Sequence, residues 1–425
     1  MINKIKTFIH KIETPQMGRV VLSIYYFTLL LDMTTLSYSF AKSATICKLI
    51  RYVCYIYFLL IIFKKVKSMS FKEYINSVKN FDKKQWVISI IVLFALLGMA
   101  GNLVFTRNKA LVFLLLTLVY ASCFDFNDVI NTLFSTQFVS MIIIVTLSSL
   151  GLMHDYINTR ADGTIRHSLG FGYPTYLAQF IMFFILYYSY KKDFKISAEK
   201  LGIYQILILF VFFLTNSRTE FLVSELILIC IFLNSVDILE KFKKQTDFLK
   251  KAFAALFPLY PIGSFIAVMS YGFIFNNVNV NNIIFRIAQK ANNVFSNRLY
   301  QTFYDFKRCG FSLFGSNIDL VGYSLTKGNE DAVIRSNFID NEYMRILFEN
   351  GWIFFIAFFA IAAIVIWYLY KNKKDGLLFI SFVITTFSLL NPRITSITFS
   401  IFCFMIIPVL YELLFKQQPG GSSNE

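Results

Sequence analysis

Apolar runs of about the length needed to cross a bilayer recur from one end of the chain to the other, separated by short charged stretches. Only 16% of the 425 residues are charged and 56% are apolar, whereas about a quarter of an ordinary soluble domain is charged. This excludes a soluble globular enzyme. The pattern predicts an all-α polytopic membrane protein organised as one helical bundle.

The apolar runs predict about twelve transmembrane helices, at 20–36, 46–63, 86–105, 110–124, 138–153, 175–190, 201–215, 220–233, 252–272, 351–370, 376–390 and 395–414. They divide the chain into a first set of helices within 1–272, one long extracytoplasmic loop at 273–350 that caps the bundle, a second set within 351–415, and a flexible tail at 416–425. The tail is rich in glycine and serine, as in linkers added for expression. Within the long loop, Ile283 to Cys309 has the spacing of a surface helix.

Lysine and arginine are distributed unequally between the two sides of this arrangement. The positive-inside rule makes the lysine-rich side, which includes both termini, cytoplasmic. The cytoplasmic segments then hold 23 lysines and one arginine, whereas the outer segments hold ten arginines and five lysines. Guanidinium groups suit planar or bidentate anions better than ammonium groups do. The outer arginines therefore predict an anion-binding surface, with interfacial snorkelling as the alternative.

Two polar clusters lie at the outer ends of predicted spans. The first runs from Arg166 and His167 to Pro174, and its glycines and proline predict a non-helical segment that lines a site, or else an ordinary helix entry. The second contains Ser217 and Arg218 in a tight turn. A helix N-terminus next to a guanidinium favours phosphate binding, and a plain polar hairpin is the alternative.

A third cluster closes the long loop and contains Asp340, Asn341, Glu342, Tyr343 and Arg345. Asp340 and Glu342 can act as a general base or as a metal-binding pair, and a solvated acidic helix start is the alternative. The three histidines and six cysteines lack metal-ligand or disulfide spacing, so no other metal site and no cofactor is predicted.

Three further charged residues lie outside these clusters. Asp32, within the first predicted span, is expected to face the bundle interior because a charge in lipid is costly. Arg298, in the long loop, and Arg393, before the last span, add two outer guanidinium groups.

In layout and in these motifs the chain resembles the bacterial O-antigen and capsule polymerases of the Wzy type and the related O-antigen ligases. The resemblance rests on the many spans, the long outer loop late in the sequence, and the order of Arg166 to Pro174, Ser217-Arg218 and Asp340 to Tyr343. It implies a metal-independent glycosyltransferase of the plasma membrane. Its donor and acceptor would be polyprenyl-pyrophosphate-linked oligosaccharides, used on the extracytoplasmic side.

The resemblance also implies roles for individual residues. Arg166 and Arg218 would hold the pyrophosphate of the donor. Ligase relatives have a His-Asn pair where this chain has Asp340-Asn341, which favours the polymerase branch and makes Asp340 the candidate base. Further expected substrate contacts are His167, Ser217, Arg298, Asn341, Glu342, Tyr343, Arg345 and Arg393.

The expected partners are the lipid-linked substrates, the bilayer, a flippase and chain-length regulator proteins, and no nucleic acid. Two other functions remain open at this level. One is a ligase that transfers finished glycan to another acceptor. The other is a transporter or flippase of lipid-linked oligosaccharide, against which the chain shows no duplicated halves.

Overall fold

The computed structural model describes residues 14–36, 40, 42–68, 71–159, 163–295, 297–318 and 338–415; the predicted tail at 416–425 lies outside them. Helices account for most of the described residues. In chain order they are α1 (Pro15–Leu31), α2 (Ser43–Ser68), α3 (Phe71–Lys79), α4 (Lys83–Thr106), α5 (Ala110–Ala121), α6 (Phe126–Ser149), α7 (Pro174–Tyr190), α8 (Ala198–Thr215), α9 (Arg218–Ser235), α10 (Ile238–Lys241), α11 (Lys243–Leu256), α12 (Leu259–Asn277), α13 (Ile283–Val294), α14 (Arg298–Cys309), α15 (Glu342–Lys371), α16 (Asp375–Phe387) and α17 (Phe402–Phe415).

Among the residues that the structure describes, six helices are long and apolar enough to cross a membrane, namely α2, α4, α6, α8, α12 and α15, and α5, α16 and α17 are shorter apolar helices. Large apolar side chains such as Leu59, Val104 and Phe213 are exposed on the outside of the bundle. So much apolar surface is compatible with lipid and not with water. The chain is therefore a membrane-embedded, predominantly α-helical protein, which confirms the coarse prediction.

The two ends of the bundle carry different basic residues. At one end, here called the lysine face, Lys195 and Lys250 each pair with an aspartate, and the pair of Lys250 ties α11 to the start of α16 at 2.8 Å. At the other end, here called the arginine face, lie Arg166, Arg298 and Arg393, together with the ends of α8 and α16. These three arginines and these two lysines thus lie at opposite ends of the bundle.

Asp32 follows the last residue of α1 and forms an ion pair with Arg51 of α2, at 2.5 Å between Oδ2 and Nη1. Arg51 is buried and also donates to the carbonyl of Thr28 at 3.1 Å. The aspartate therefore contacts the neighbouring helix, where the guanidinium offsets the cost of its charge. Its side chain is exposed, so the prediction that it faces the bundle interior is wrong.

The described part of the long loop contains two helices where the sequence predicted one over 283–309. The break lies near Asn297, which has a left-handed φ of 63°. The side chain of Asn292 holds the corner, since it donates to Asn297 Oδ1 at 3.0 Å and accepts from the backbone N–H of Tyr300 at 3.1 Å. α14 packs against α12, so this helix lies on the bundle.

α15 begins at Glu342, whereas the sequence placed the start of that span at 351. Gly351 interrupts the helix with φ 82° and ψ 171°, values that only glycine adopts readily. A Cβ there would lie 2.3 Å from the nitrogen of Gly315 and 2.4 Å from the carbonyl oxygen of Leu313. The helix before the break belongs to the bundle rather than to the loop, because residues such as Met344 are fully buried.

Residues 388–401 form an irregular segment between α16 and α17. The predicted start of the last span, 395, is therefore wrong, since α17 begins at Phe402. Most of the segment is buried, including Ile394 and Phe399. α16 has 13 residues and so rises at most about 20 Å from the lysine face, less than the roughly 30 Å of the hydrocarbon core. The segment consequently lies inside the bundle, below the rim of the arginine face.

Two buried tyrosines satisfy the backbone of this segment. Tyr187 of α7 donates to the carbonyl of Phe399 at 2.5 Å and accepts from the N–H of Ile401 at 3.1 Å. Tyr26 of α1 donates to the carbonyl of Thr398 at 2.5 Å. Non-helical backbone is tolerated at this depth only when protein groups complete its hydrogen bonds.

Replacing Tyr187 by Phe should therefore destabilise the fold, because it leaves a buried carbonyl and a buried N–H without partners. We expect a loss of about 1–3 kcal/mol, seen as a lower midpoint of thermal unfolding in detergent. Tyr411→Phe, at an exposed position on α17, is the matched control. Equal midpoints for the two variants would contradict the role assigned to Tyr187.

Candidate functional site

A short hairpin holds the first sequence cluster at the arginine face. Strand β1 (Ile157–Thr159) pairs antiparallel with strand β2 (Ile165–His167), with Asn158 opposite Arg166. The chain then turns through Gly170, whose φ is 86° and whose Cβ position would lie 3.1 Å from a carbonyl of α6. Because side chains alternate along a strand, Arg166 points into the bundle while His167 points away from it.

The guanidinium of Arg166 is buried and is held by neutral groups. Nε donates to the carbonyl of Thr215 at 2.8 Å, and Nη2 lies 3.4 Å from Ser217 Oγ. Nη1 lies 3.5 Å from the hydroxyl of Tyr173, whose ring centroid is 5.4 Å from the guanidinium carbon. No carboxylate of the described residues pairs with Arg166. A buried cation in this state is well placed to receive an anion.

Arg393, in the irregular segment, is also buried and held by neutral groups. Its Nε donates to Gln179 Oε1 at 2.6 Å, and Nη1 donates to the carbonyl of Pro392 at 2.7 Å. Its guanidinium carbon lies 4.4 Å from the ring centroid of Phe399. The amide of Gln179 in turn donates to Glu220 Oε1 at 2.8 Å. Gln179 thus separates the arginine from the nearest buried carboxylate in this chain of hydrogen bonds.

Asp340 precedes α15 and pairs with Arg298 at the start of α14, at 2.6 Å between Oδ2 and Nε. Burial raises the pKa of the Asp340 carboxyl, and the positive charges of Arg298, Arg393 and Arg345 oppose that rise. Three guanidinium groups from α14, the irregular segment and the start of α15 therefore act electrostatically on this one carboxylate, and Arg298 contacts it.

Tyr173 connects the first cluster with the third. Burial raises the pKa of its hydroxyl, the guanidinium of Arg166 opposes the rise, and the charge of Asp340 adds to it. The hydroxyl is thus within the electrostatic influence of both residues. The fold brings together Arg166 and Asp340, which are far apart in the sequence.

Glu342 and Arg345 lie in the first turns of α15, where they border the same region. Glu342 Oε1 accepts from the N–H of Thr395 at 3.2 Å and from its hydroxyl at 2.5 Å. Arg345 pairs with Glu349 at 3.0 Å. Arg345 is therefore matched by a carboxylate, unlike Arg166 and Arg393.

The structure gives Asn341 and Tyr343 anchoring contacts. Asn341 caps α15 through Oδ1, and its Nδ2 lies 3.2 Å from both Ser264 Oγ and the carbonyl of Leu389. Tyr343 is fully buried and donates to the carbonyl of Thr385 at 2.8 Å. Both side chains hold α15 in place, whereas the sequence suggested that they contact substrate.

His167 lies on the outer side of the hairpin, in contact with a residue that the sequence analysis did not single out. Its Nδ1 is 2.6 Å from Asp155 Oδ2. The other oxygen of Asp155 accepts the N–H groups of Ser168 and Leu169 at 2.9 and 2.8 Å. This pair stiffens the turn that positions Arg166.

Of the second cluster, Ser217 and Glu220 belong to the buried site, whereas Arg218 does not. Ser217 occupies the N-cap of α9 without a capping hydrogen bond, since its hydroxyl serves Arg166. Arg218 is exposed, at the edge of the buried group. Gln179 was missed because a single polar residue within an apolar run carries no motif, and its only sequence signal is the cost of burying it. Glu220 ends the second polar cluster, but the sequence predicts no role of its own for it.

Among the residues that the structure describes, no group of three or more His, Cys, Asp and Glu side chains is arranged to hold a metal ion. Asp340 and Glu342 make hydrogen bonds to different partners. Comparison of the chain with protein-family models, curated proteins and solved structures found no match. The site is accordingly interpreted from its own geometry.

The ion pair with Arg298 should control the protonation of Asp340. Replacing Arg298 by Met removes the positive charge that most strongly opposes the effect of burial, so the pKa of Asp340 should rise further. Labelling by a water-soluble carbodiimide, which modifies protonated carboxyls, measures this by mass spectrometry as a function of pH. We expect the labelling midpoint at Asp340 to move to higher pH in Arg298→Met.

Lys307→Met, which removes a charge from the exposed side of the same helix, is the control and should leave that midpoint in place. A midpoint that stays the same or moves to lower pH in Arg298→Met would refute this assignment.

Proposed function

We propose that the protein is a metal-independent polysaccharide polymerase. It would transfer nascent glycan from a polyprenyl-pyrophosphate carrier onto a lipid-linked oligosaccharide repeat unit. The observation that carries the proposal is the pair of buried guanidinium groups, Arg166 and Arg393, whose hydrogen-bond partners are all neutral. Two such groups inside a membrane protein suit a pyrophosphate better than they suit a neutral ligand.

Glycosyl transfer from a lipid pyrophosphate requires stabilisation of the departing anion. Fixed guanidinium groups in a water-poor site provide this without reorganising during the reaction. The sequence analysis assigned this role to Arg166 and Arg218. The burial of Arg393 and the exposure of Arg218 make Arg166 and Arg393 the primary pair, with Arg218 at the entrance.

The reaction also requires a group that removes a proton from the acceptor hydroxyl. Asp340 is the candidate, because burial raises the pKa of its carboxyl and so makes it a better proton acceptor than an exposed aspartate. Its contact with Arg298 has to loosen, or its second oxygen has to act, for the acceptor to reach it. Glu342 is less suitable, since Thr395 already occupies one of its oxygens.

The glycan would lie against α14, the helix that begins with Arg298. Tyr300 and Tyr304 stand one turn apart on this helix, with ring centroids 6.4 Å apart, and 38% and 59% of their surfaces are exposed. Exposed aromatic faces of this kind are suited to stacking against sugar rings. The proposed sugar contacts lie on the helix that begins at Arg298, the ion-pair partner of the candidate base.

The topology that fits this function has twelve spans, with the lysine face and both termini in the cytoplasm and the arginine face outside the plasma membrane. The separation of lysine from arginine supports this orientation. In this arrangement, a flippase delivers the lipid-linked repeat to the arginine face, and chain-length regulators act on the product there.

A transporter of lipid-linked oligosaccharide is the second candidate. The observation in its favour is the pair of short helices, α16 and α17, on either side of a buried irregular segment. Transporters often bind their substrates at such discontinuous helices. A transporter would differ from a polymerase in one measurable way. Reconstituted protein would move labelled lipid-linked sugar across the membrane of liposomes without lengthening the sugar.

The decisive experiment incubates purified protein with lipid-pyrophosphate-linked repeat units and chelator, without nucleotide sugar, and resolves products by chain length. We expect a ladder. Arg166→Ala and Arg393→Ala should each lower the rate about a hundredfold, since each removes a donor to the leaving anion. Arg286→Ala, at an exposed arginine on α13, is the control and should keep the rate of the unmodified protein.

A full ladder from both site variants, with folded protein confirmed, would eliminate the proposed leaving-group role. If the unmodified protein binds substrate but makes no ladder, a ligase without its acceptor or a transporter becomes the better explanation.

Asp340→Asn tests the base separately from binding. The amide is almost isosteric but accepts a proton poorly, so the rate of glycan transfer should fall by about two to four orders of magnitude. Affinity for the pyrophosphate donor, measured in the same preparation, should change little. Retention of the full rate would exclude Asp340 as the base.

A further inference from the structure

A large cavity lies on the lysine-face side of the candidate site. It is a groove with a volume of about 1820 Å³. Residues of α16, including Leu378 and Phe382, lie along its floor, and residues of α9, α11 and α12, including Cys230, Phe253 and Gly263, form its sides. Its lining within the bilayer is apolar, and the catalytic proposal leaves it without a role.

The groove ends directly beside the candidate site. Ser264 and Leu389 line its inner end, and both accept hydrogen bonds from the side chain of Asn341 at 3.2 Å. Asn341 is the immediate neighbour of Asp340. Asp340, the candidate base, therefore lies on one side of Asn341, and the groove lies on the other side.

Two helices extend from the site into the groove. α9 has Glu220 of the buried site in its first turn and lines the groove farther along with Cys230 and Asn234. α16 lines the groove floor and ends at the irregular segment that contains Arg393. On α16 the lining residues run from Asp375 to Phe382, about 10 Å at 1.5 Å per residue, and Leu389 lines the groove beyond the end of this helix.

The rim of the groove at the lysine face does not favour an anionic lipid headgroup. Six lysines and five carboxylates line this rim, so their charges nearly balance. Two of the lysines, Lys195 and Lys250, are paired with Asp237, Asp247 and Asp375. Charge therefore gives no reason to place a phosphate at that end. An apolar chain whose charged end lies at the arginine face matches the groove at both ends.

We propose that this groove binds the isoprenoid chain of the lipid carrier while its pyrophosphate occupies the site of Arg166 and Arg393. The inference rests on the proposed function, because it takes the charged group at that site to be a polyprenyl pyrophosphate. The site of Arg166 and Arg393 would hold the pyrophosphate, and the isoprenoid chain would extend along α9 and α16 toward the lysine face. Burial of the apolar chain adds affinity in proportion to the length that the groove covers.

Two glycines offer a blocking variant and a matched control. Gly263 lines the groove, and a Cβ added there meets no atom within 4 Å. Gly202 on α8 is likewise exposed and open within 4 Å but lies outside the groove. Gly263→Trp should fill the groove without disturbing the fold, and Gly202→Trp adds the same side chain elsewhere on the lipid-facing surface.

The test uses the full chain in detergent and undecaprenyl pyrophosphate carrying a photoreactive group at the distal end of its chain. In the unmodified protein, the crosslink should map by mass spectrometry to residues of α11, α12 or α16 that line the groove. Gly263→Trp should lower this crosslinking at least about tenfold, and Gly202→Trp should leave it unchanged. Unlabelled undecaprenyl pyrophosphate should compete, whereas phosphatidylglycerol should not.

Geranyl pyrophosphate, whose chain is too short to follow the groove, separates this proposal from the function on which it rests. It should bind equally to the unmodified protein and to Gly263→Trp, and more weakly to Arg166→Ala. If geranyl pyrophosphate behaves in this way but the distal crosslinks lie outside the groove or survive Gly263→Trp, the groove proposal is overturned and the pyrophosphate site stands.

Two other results would also be decisive. Competition by phosphatidylglycerol would show that the groove holds ordinary bilayer lipid, and would overturn the proposal. Binding of geranyl pyrophosphate that is unaffected by Arg166→Ala would overturn the proposed pyrophosphate site, and with it the assignment of the groove to the carrier, wherever the distal crosslinks map.

Discussion

The cost of holding positive charges inside a membrane-embedded bundle shapes the arginine face of this protein. Arg166 and Arg393 are buried, and each is held by backbone carbonyls, hydroxyls, an amide or aromatic rings rather than by a carboxylate at contact distance. Such an arrangement is expensive in isolation. The hairpin that presents Arg166 and the irregular segment that contains Arg393 are the structural means of keeping both groups in place.

Buried carboxylates reduce this cost without neutralising the arginines at contact distance. Glu220 and Glu342 both influence Arg393 electrostatically, yet their side chains form hydrogen bonds with Gln179 and Thr395. The region therefore has nearby negative charge that favours burial of the guanidinium. The same arrangement keeps that guanidinium out of a direct ion pair, as a site for an exchangeable anion requires.

The sequence was sufficient for the long spans and insufficient where tertiary contacts decide the backbone. Continuous apolar runs predicted helices such as α2 and α4, because nothing but a helix satisfies the backbone in lipid. The sequence predicted residues 395–401 as the start of the last span, yet they are irregular, and Tyr187 and Tyr26, more than 200 positions away in sequence, supply hydrogen bonds to their backbone. No local pattern encodes such partners.

The candidate site shows the same division. Arg166, Ser217 and Asp340 stood out because they occur in compact polar motifs between apolar runs, and the fold places Arg166 against Ser217 and brings the charge of Asp340 to bear on Tyr173. Gln179 is a single polar residue within an apolar helix, and Glu220 lies at the end of the second cluster without a motif of its own. Their importance arises from a hydrogen-bond chain between distant segments. The preference for Arg393 over Arg218 depends on burial, which the motif alone does not determine.

The packing beneath the site bears on the choice between catalysis and transport. Phe399 stacks on Phe180 at 4.4 Å and packs beside Phe183, and all three rings are almost fully buried. Alternating access would require this aromatic floor to open toward the lysine face in each cycle, which would expose a large part of the core. A polymerase does not need this aromatic floor to open, because donor, acceptor and product all remain on the arginine face. Preorganised donors of this kind also stabilise a developing anion without rearranging, which favours chemistry at this site over passage through it.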